Sequence, residues 1–598
     1  VKSTQQVGGF HHRAGAARVA LDCVVESIGM MGYGRCGNVV KGVATPLYAR
    51  AIVIQDIETG DRVALVNAEI CYFSVGLADA VWSAVRKAGI GLDDQTVMLT
   101  AQHTHSGPAG YNKHPLYDLP TPGFSPRVFN GIVSGVVSAL QQAAGRMAAA
   151  RLRFTQGEFP SEVQVAFNRS LKAYNSNPDV SAVPQGSEHL AVSRRMQLLR
   201  VERPTGDPLA VVSWFGVHAT SIPNTNQLVS SDNKGHAAML MEQQLGSGAV
   251  AIFAQSAAGD VSPNGFWDAR MRQNRGPADN GHENARLNGH LQYQMASQLL
   301  QEAKSAPVVA GGVDGCCVRI DFSKVRVDAR FADGREDART SPSCHGLAFA
   351  RGTTDGPGCG NAVATLLWGL IGLVRLFEQS GAALLDADRA ASIRLKYETQ
   401  SPKSILVESG EKRLMGTGKI RKVIIPGWAD PTVRRIKSYD RRGAIQTGPL
   451  TPQVLPLQVL RIGKLIFPGI PGEPTTVAGR RLEQTVLHSL PAGQPWRVVL
   501  TPYANGYCGY LTTAEEYQQQ SYEGGHTVFG RWTLAAFQTQ LAALLTEFCR
   551  PKAERSLKND PLPDPIPAAE LARRQFPQEP GAVEVPDDSA PPCHRRRP

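Results

Sequence analysis

Short apolar runs of strand length alternate along this chain with longer stretches of helical periodicity, and that rhythm restricts the fold more than any single motif does. Residues 51–54, 63–66, 97–99, 210–214, 249–253 and 498–500 read as buried strands. Residues 128–144 and 534–548 carry apolar positions at helical spacing. The alternation predicts an α/β fold, a large domain of mixed β-sheet flanked by helices. No fixed-period repeat recurs, which sets solenoids and propellers aside.

The pattern runs to about Arg550, so residues 1–550 are expected to form the catalytic domain. Beyond it the sequence becomes Pro-rich and charged (PLPDPIP, QFPQEPGAVEVPDD, PPCHRRRP). Residues 551–598 are expected to be a flexible or loosely packed tail without chemistry. The longest apolar stretch, residues 362–377 (AVATLLWGLIGLVRLF), is interrupted by Gly369, Gly372 and Arg375. It falls short of the roughly eighteen apolar residues of a spanning helix, so no transmembrane segment is expected.

Charge and cysteine content narrow the partners. Lys and Arg number 63 against 52 Asp and Glu, a net +11 that favours anionic surfaces. Part of that excess is Arg595, Arg596 and Arg597, and no basic run interleaved with aromatics occurs, which argues against nucleic acid. The ten cysteines include no C-x-x-C pair, so neither a zinc-finger module nor a disulfide scaffold is indicated. The chain begins at Val1 with no charged and apolar leader, which fits a removed signal peptide or a trimmed start.

Chemistry is sought in the polar loops that close the strands. After residues 97–99 comes Gln102-His103-Thr104-His105-Ser106-Gly107-Pro108. In extended backbone His103 and His105 point to one face, where they suit one ion, or an ion and its substrate; a solvated loop pair is the plainer alternative. His218 follows residues 210–214 and reads alone as a core histidine. Ser262 lies in a Gly- and Pro-bracketed turn (Gly259 to Asn264), open to a nucleophilic or a capping role. Glu473 sits at a strand-to-helix junction, where it either binds a cation or favours a helix N-terminus. Tyr510 and Tyr522 belong to two Tyr/Gly-rich segments, where a phenol packs, ligates a metal or donates to an oxyanion.

Taken in order, these segments resemble the neutral/alkaline ceramidase family. The match runs from Gly29-Met30-Met31-Gly32-Tyr33 through Gln102 to Pro108, Asn168-Arg169-Ser170, Ser213-Trp214-Phe215, His218, Asp232 to Gly235 and Gly259 to Asn264. It continues through Glu473 and ends at Tyr510 to Thr513 and Tyr522-Glu523-Gly524-Gly525. The resemblance implies hydrolysis of the amide of ceramide to sphingosine and a fatty acid by a zinc-bound water. It implies His103, His218, Glu473 and Tyr510 as ligands of Zn2+, and His105, Arg169 and Tyr522 at the reacting centre. Gly32 and Asn264 are implied as substrate contacts. Ser262 is either nucleophile or positioning group, and zinc-water chemistry is preferred because no activating base is evident for it. Another N-acyl lipid as substrate and a non-catalytic lipid-binding relative stand as rivals.

A ceramide substrate gives residues 362–377 a second reading, as an interfacial segment contacting a membrane or micelle, against a buried core helix. A secreted, periplasmic or extracellular location is expected. Three departures from the family stand out. The tail after Arg550 is too short for the family's C-terminal immunoglobulin-like domain. Val192-Ser193-Arg194-Arg195 lacks the Asp usual three residues before Met196. Cys344 lacks its usual disulfide partner in residues 384–404, and Cys359 is the nearest substitute.

Overall fold

The computed structural model describes residues 10–576, apart from 122, 247, 383–385 and 415–430. Eight strands form the principal sheet: β1 (His12–Ala20), β2 (Tyr48–Asp56), β3 (Arg62–Ala68), β4 (Val97–Ala101), β5 (Ala148–Glu158), β6 (Arg195–Glu202), β7 (Pro208–Trp214) and β8 (Val250–Ala254). Their order is β8-β7-β6-β5-β1-β2-β3-β4. The outer pairs β3/β4 and β7/β8 are parallel, and the other neighbours are antiparallel.

Helices α1 (Val75–Ala88), α2 (Pro126–Gly145), α3 (Asp232–Leu245) and α4 (Gly281–Glu302) cover one face. Parallel neighbours need a long crossover, and α1 and α3 supply it for β3/β4 and β7/β8. The unit strand-strand-strand-helix-strand-helix therefore occurs twice in mirrored order. The two halves meet at a short contact, His12 to Ala14 of β1 against Ala148 to Ala150 of β5. This repeat is one of topology and leaves no periodic trace in the residues.

Strand β2 shows why these runs are continuously apolar. Ala49, Ala51 and Val53 face the helices, while Ile52 and Ile54 face the other way into a second apolar layer. That layer lies under a second sheet of β9 (Val313–Asp321), β10 (Val454–Ile462) and β11 (Leu465–Ile470). Four two-residue strands follow: β12 (Glu473–Pro474), β13 (Arg497–Val498), β14 (Thr501–Pro502) and β15 (Tyr510–Leu511). β13 and β14 run parallel to β11, and β12 pairs with β15.

Between β9 and β10 lie α5 (Asn361–Gly381), α6 (Ala387–Thr399) and α7 (Pro431–Arg441), and α8 (Thr476–Ser489) and α9 (Thr533–Phe548) close the outer face of the second sheet. The molecule is thus layered helix, sheet, sheet, helix. Trp214 meets Phe467 between the sheets at 5.6 Å between ring centres. Each fully buried aliphatic or Phe side chain contributes roughly 1.5–3 kcal/mol, so these three apolar interfaces dominate the stability.

The α/β expectation holds, with the second sheet taking the face where more helices were anticipated. Of the run 498–500 only Val498 is strand, in β13, and Val499 and Leu500 lie between β13 and β14. Residues 362–377 form a longer helix than expected. Gly369, Gly372 and Arg375 all stay helical, so α5 reaches 21 residues and by length and composition alone is apolar enough to cross a membrane, longer than the interrupted run suggested. Residues 551–576 pack on the body instead of trailing from it: Arg555 pairs with Asp314 at 2.6 Å, and Arg574 and Phe576 are buried. Residues 577–598 lie outside the described residues. Cys344 and Cys359 are both free thiols. Ser193 stands three residues before Met196, and its neighbour Arg194 donates to the carbonyls of Phe159, His189, Pro160 and Val163.

Candidate metal centre

Strands β4 and β7 stand six positions apart in the sheet order, about 29 Å in a flat sheet at roughly 4.8 Å per strand. The loops that leave them nevertheless touch. Thr104 bridges Ala219 in parallel register and the Gln255 amide donates to the Gln102 carbonyl at 3.0 Å, so the sheet is far from flat. That bridge sets the preceding residues, His103 and His218, side by side with ring centres 4.8 Å apart. A second parallel bridge, Glu473 against Tyr510 in β12 and β15, sets the other two expected ligands side by side. Two short bridges thus assemble four residues scattered over more than 400 positions of chain.

Several close fits hold the bridges together. Gly259 lets the loop after β8 lie against β12, since a Cβ there would stand 2.7 Å from the Glu473 carbonyl oxygen. Asn505 accepts from the Leu99 amide with its side chain at 2.8 Å and donates its own backbone N–H to the Leu99 carbonyl at 2.8 Å. This stitches the Tyr503–Tyr507 loop to the free edge of β4. His103, Tyr503 and Asn505 all have positive φ, at 75°, 55° and 63°, conformations worth about 1–3 kcal/mol of strain each. The helix after β12 is capped by Thr475, not Glu473, which leaves the Glu473 carboxylate free for the site.

Both imidazoles are tied down at the nitrogen remote from the centre. His103 Nδ1–H donates to the Cys71 carbonyl at 2.7 Å, and His218 Nδ1–H to the Val261 carbonyl at 3.0 Å. This fixes each tautomer with a bare Nε2 directed at Glu473, the arrangement that metal-ligating histidines require. His103 Nε2 lies 3.4 Å from Glu473 Oε1, His218 Nε2 3.2 Å from Glu473 Oε2, and the Tyr510 hydroxyl 3.5 Å from His218 Nε2. A tetrahedral zinc bonded at about 2.0–2.1 Å spaces its ligands about 3.3–3.4 Å apart. The donor set, two imidazole nitrogens, a carboxylate and a phenol, fits that ion in chemistry and spacing.

All four residues are at least 96% removed from solvent. Burial pushes the His103 pKa down to about 4, against the pull of Glu473, so the ring is neutral and able to ligate. Burial alone would raise the Glu473 carboxyl, but the two imidazoles and the Tyr507 hydroxyl outweigh it and hold the group ionised. Tyr503 and Tyr507 both donate to this carboxylate. A second cluster, Cys71, His103 and His105, offers a poorer set. Burial raises the Cys71 thiol well above its ordinary range, and its sulfur faces the His103 nitrogen already bonded to a carbonyl.

The remaining expected residues ring this centre. His105 Nε2 lies 3.1 Å from His103 Nε2, and its Nδ1 is buried without a hydrogen-bond partner. Gly32, at φ 123°, lies against the His105 ring, where a Cβ would come within 2.3 Å of Cγ. Arg169 donates to Tyr510 at 2.9 Å, to the Gly259 carbonyl at 2.8 Å, to Glu523 at 2.8 Å and to Asp355 at 3.4 Å. Most of its N–H groups are thereby committed to holding Tyr510 in place. Tyr522, half-buried, stands edge-on to Tyr510 at 5.5 Å. Ser262 donates to Asp355 at 2.6 Å and accepts from the Asn264 amide at 2.9 Å. Asn264 donates to Asp355 and the Thr220 carbonyl, and its Oδ1 is left without a partner.

Asp355, Glu523, Tyr503 and Tyr507 carry much of this scaffold and were not singled out from sequence as site residues. Asp355 has one local signal, a Thr-Thr-Asp-Gly turn between the paired residues 352–353 and 356–357. Its partners, Arg169, Ser262 and Asn264, lie more than ninety residues away and give no local signal.

The family described as neutral/alkaline non-lysosomal ceramidase, N-terminal, matches residues 13–417 and 441–539. The neutral ceramidase of Pseudomonas aeruginosa is 32% identical over 531 residues, covering 88% of this chain and 70% of that protein. The neutral ceramidase of Mycobacterium tuberculosis is 31% identical over 541 residues, covering 88% and 74%. Among solved structures, a ceramidase complexed with C2 superposes with a TM-score of 0.75 at 29% identity, covering 94% of this chain and 78% of that one. The neutral ceramidase from P. aeruginosa gives 0.73 at 28% identity, covering 93% and 77%. With a family match over most of its length and relatives above 30% identity, the chain belongs to the neutral/alkaline non-lysosomal ceramidase family.

Proposed function

We propose that this protein hydrolyses the N-acyl amide of ceramide, releasing sphingosine and a fatty acid, with one zinc ion held by His103, His218, Glu473 and Tyr510. The observation that carries the reading is the pair of histidines whose Nδ1–H groups are spent on backbone carbonyls while both Nε2 atoms face the Glu473 carboxylate. Zinc in such a site supplies Lewis acidity and lowers the pKa of a water to about 7.

The chain's own residues then divide the work. Arg169 holds the Tyr510 phenol. Burial raises the Tyr522 hydroxyl above its ordinary range, so it stays protonated and donates to the carbonyl oxygen as negative charge develops there. Burial, aided by His103 and His218, keeps His105 neutral. His105 Nδ1 and Asn264 Oδ1 are both acceptors left without donors. Buried acceptors call for donors, and a sphingoid amide offers two hydroxyls and an N–H. Ser262 serves as a positioning group, since its hydroxyl is donated to Asp355 and not to an imidazole base. The substrate resides in a membrane or micelle, so the reaction takes place at a lipid surface.

Fatty-acid release from ceramide, measured beside N-acyl ethanolamine and N-acyl amino acid, tests the assignment. Ceramide is expected to be the fastest. Release only from one of the other amides would move the substrate, and release from none would remove the hydrolase reading.

A further inference from the structure

Helix α5 presents more apolar surface to solvent than any other element described. Of its side chains only Ala364 and Ile371 are buried, and Ile371 packs with Leu367 against Leu347, Leu406 and Leu414. Leu366, Leu373 and Phe377 lie on the opposite side of the helix, some 200° around the axis from Ala364, and are 74%, 56% and 74% exposed. Leu370 and Leu376 flank them, while Trp368 stands nearer the packed side, about 40° around the axis from Ala364. A contiguous apolar ridge of this kind marks an interaction surface.

Charge identifies the occupant. The one acid of α5, Glu378, is tied to Lys396 at 2.8 Å, Arg413 at 2.7 Å and Tyr397 at 2.6 Å. Helix α7 and α5 both pack near Val407 of a short strand, Ile405–Glu408, and α7 carries Arg434 and Arg441 exposed, with Arg442 following. An apolar ridge with no free acid beside a basic helix, in a chain of net charge +11, complements a bilayer containing anionic lipid.

The connection to the buried site is short. Asp355, six residues before α5 begins, accepts from Ser262, Asn264 and Arg169. Phe349 packs on Tyr522 at 5.5 Å and on His526 at 4.4 Å between ring centres. Residues 349–357 therefore join the wall of the candidate centre to the exposed helix.

We propose that α5 seats the protein on an anionic lipid bilayer and that residues 349–357 couple this docking to the buried centre. The proposal takes its lipid substrate from the function proposed above, but docking is measured without turnover. The full-length protein and the variant Leu366→Glu/Leu373→Glu/Phe377→Glu, together with the milder Leu373→Glu, are sedimented with phosphatidylcholine/phosphatidylglycerol vesicles. Hydrolysis is compared on ceramide in vesicles and on a dispersed short-chain analogue.

Wild type is expected to bind, and the triple variant to lose about tenfold or more in binding and in vesicle activity. Its rate on the dispersed analogue should stay within about twofold, and Leu373→Glu should be intermediate. Wild type that fails to bind overturns the proposal, as do equal losses on both substrates. A wild-type dimer that the triple variant dissolves also overturns it by naming a protein cover instead. Vesicle binding that depends on α5 in a protein inactive on every amide supports docking while removing the proposed activity.

Discussion

Replacing Gly32 by Ala isolates the contribution of His105 without touching a ligand. The added Cβ would stand 2.3 Å from His105 Cγ, 2.6 Å from Cδ2 and 2.7 Å from Nδ1. Carbon atoms rest at about 3.5–4.0 Å, so the imidazole must retreat by roughly 1.2 Å or more. Tyr33 and His103, each 4.7 Å away between ring centres, leave it little room. Misplacing a reacting or positioning group by about 1 Å costs on the order of 100-fold in rate, near 2.7 kcal/mol. A side chain at φ 123° adds about 1–3 kcal/mol of backbone strain to the folded state. The assay reads zinc per chain, kcat and KM on a dispersed short-chain ceramide, and denaturant unfolding. The expected result is kcat lowered about 100-fold with zinc retained and stability reduced by about 1–3 kcal/mol. An unchanged kcat in a folded, zinc-loaded variant would refute the reasoning that His105 acts on substrate.

Two further outcomes follow from the same contacts. Ser262→Ala removes the hydroxyl bonded to Asp355 and to the Asn264 amide, and about a tenfold loss of rate with full zinc is expected. A loss above about ten-thousand-fold with zinc in place would return Ser262 to the role of nucleophile. Lys234 is fully buried with its Nζ on the carbonyls of Phe215 and Ala254, and desolvation lowers its pKa from 10.5 to about 7. Between those values the unfolded chain holds a proton that the folded chain lacks, so this lysine makes stability rise with pH by up to about 1.4 kcal/mol per unit. Lys234→Met should flatten the unfolding profile above pH 7, and an unchanged slope in urea titrations would show that Lys234 stays charged when folded.

The residues disclose the principal sheet more readily than its companion. β2, β3, β4, β7 and β8 are buried on both faces and read as plain apolar runs. β9 and β10 contain Asp314, Arg319, Pro456 and Gln458, which break that signal, and their strand character comes from pairing with each other. The Pro-rich composition of residues 551–576 hid a docked segment, because Arg555, Arg574 and Phe576 are anchored by partners far upstream. At the site, the short spacing of His103 and His105 flagged the right loop. No spacing rule links His103 to His218, Glu473 and Tyr510, since two parallel bridges between distant loops make those neighbours; the family resemblance supplied them. Asp355 stayed hidden because its turn is ordinary and its function lies in its contacts.

The central claim is most directly tested by zinc per chain, read together with fatty-acid release from ceramide, in wild type, His103→Ala and His105→Ala before and after chelation and zinc re-addition. The account predicts one zinc in wild type and chelation that abolishes release until zinc is restored. It predicts loss of both zinc and activity in His103→Ala, and zinc retained with activity lost in His105→Ala. Wild type that holds no zinc and releases no fatty acid, or His103→Ala that binds zinc as wild type does, would contradict it.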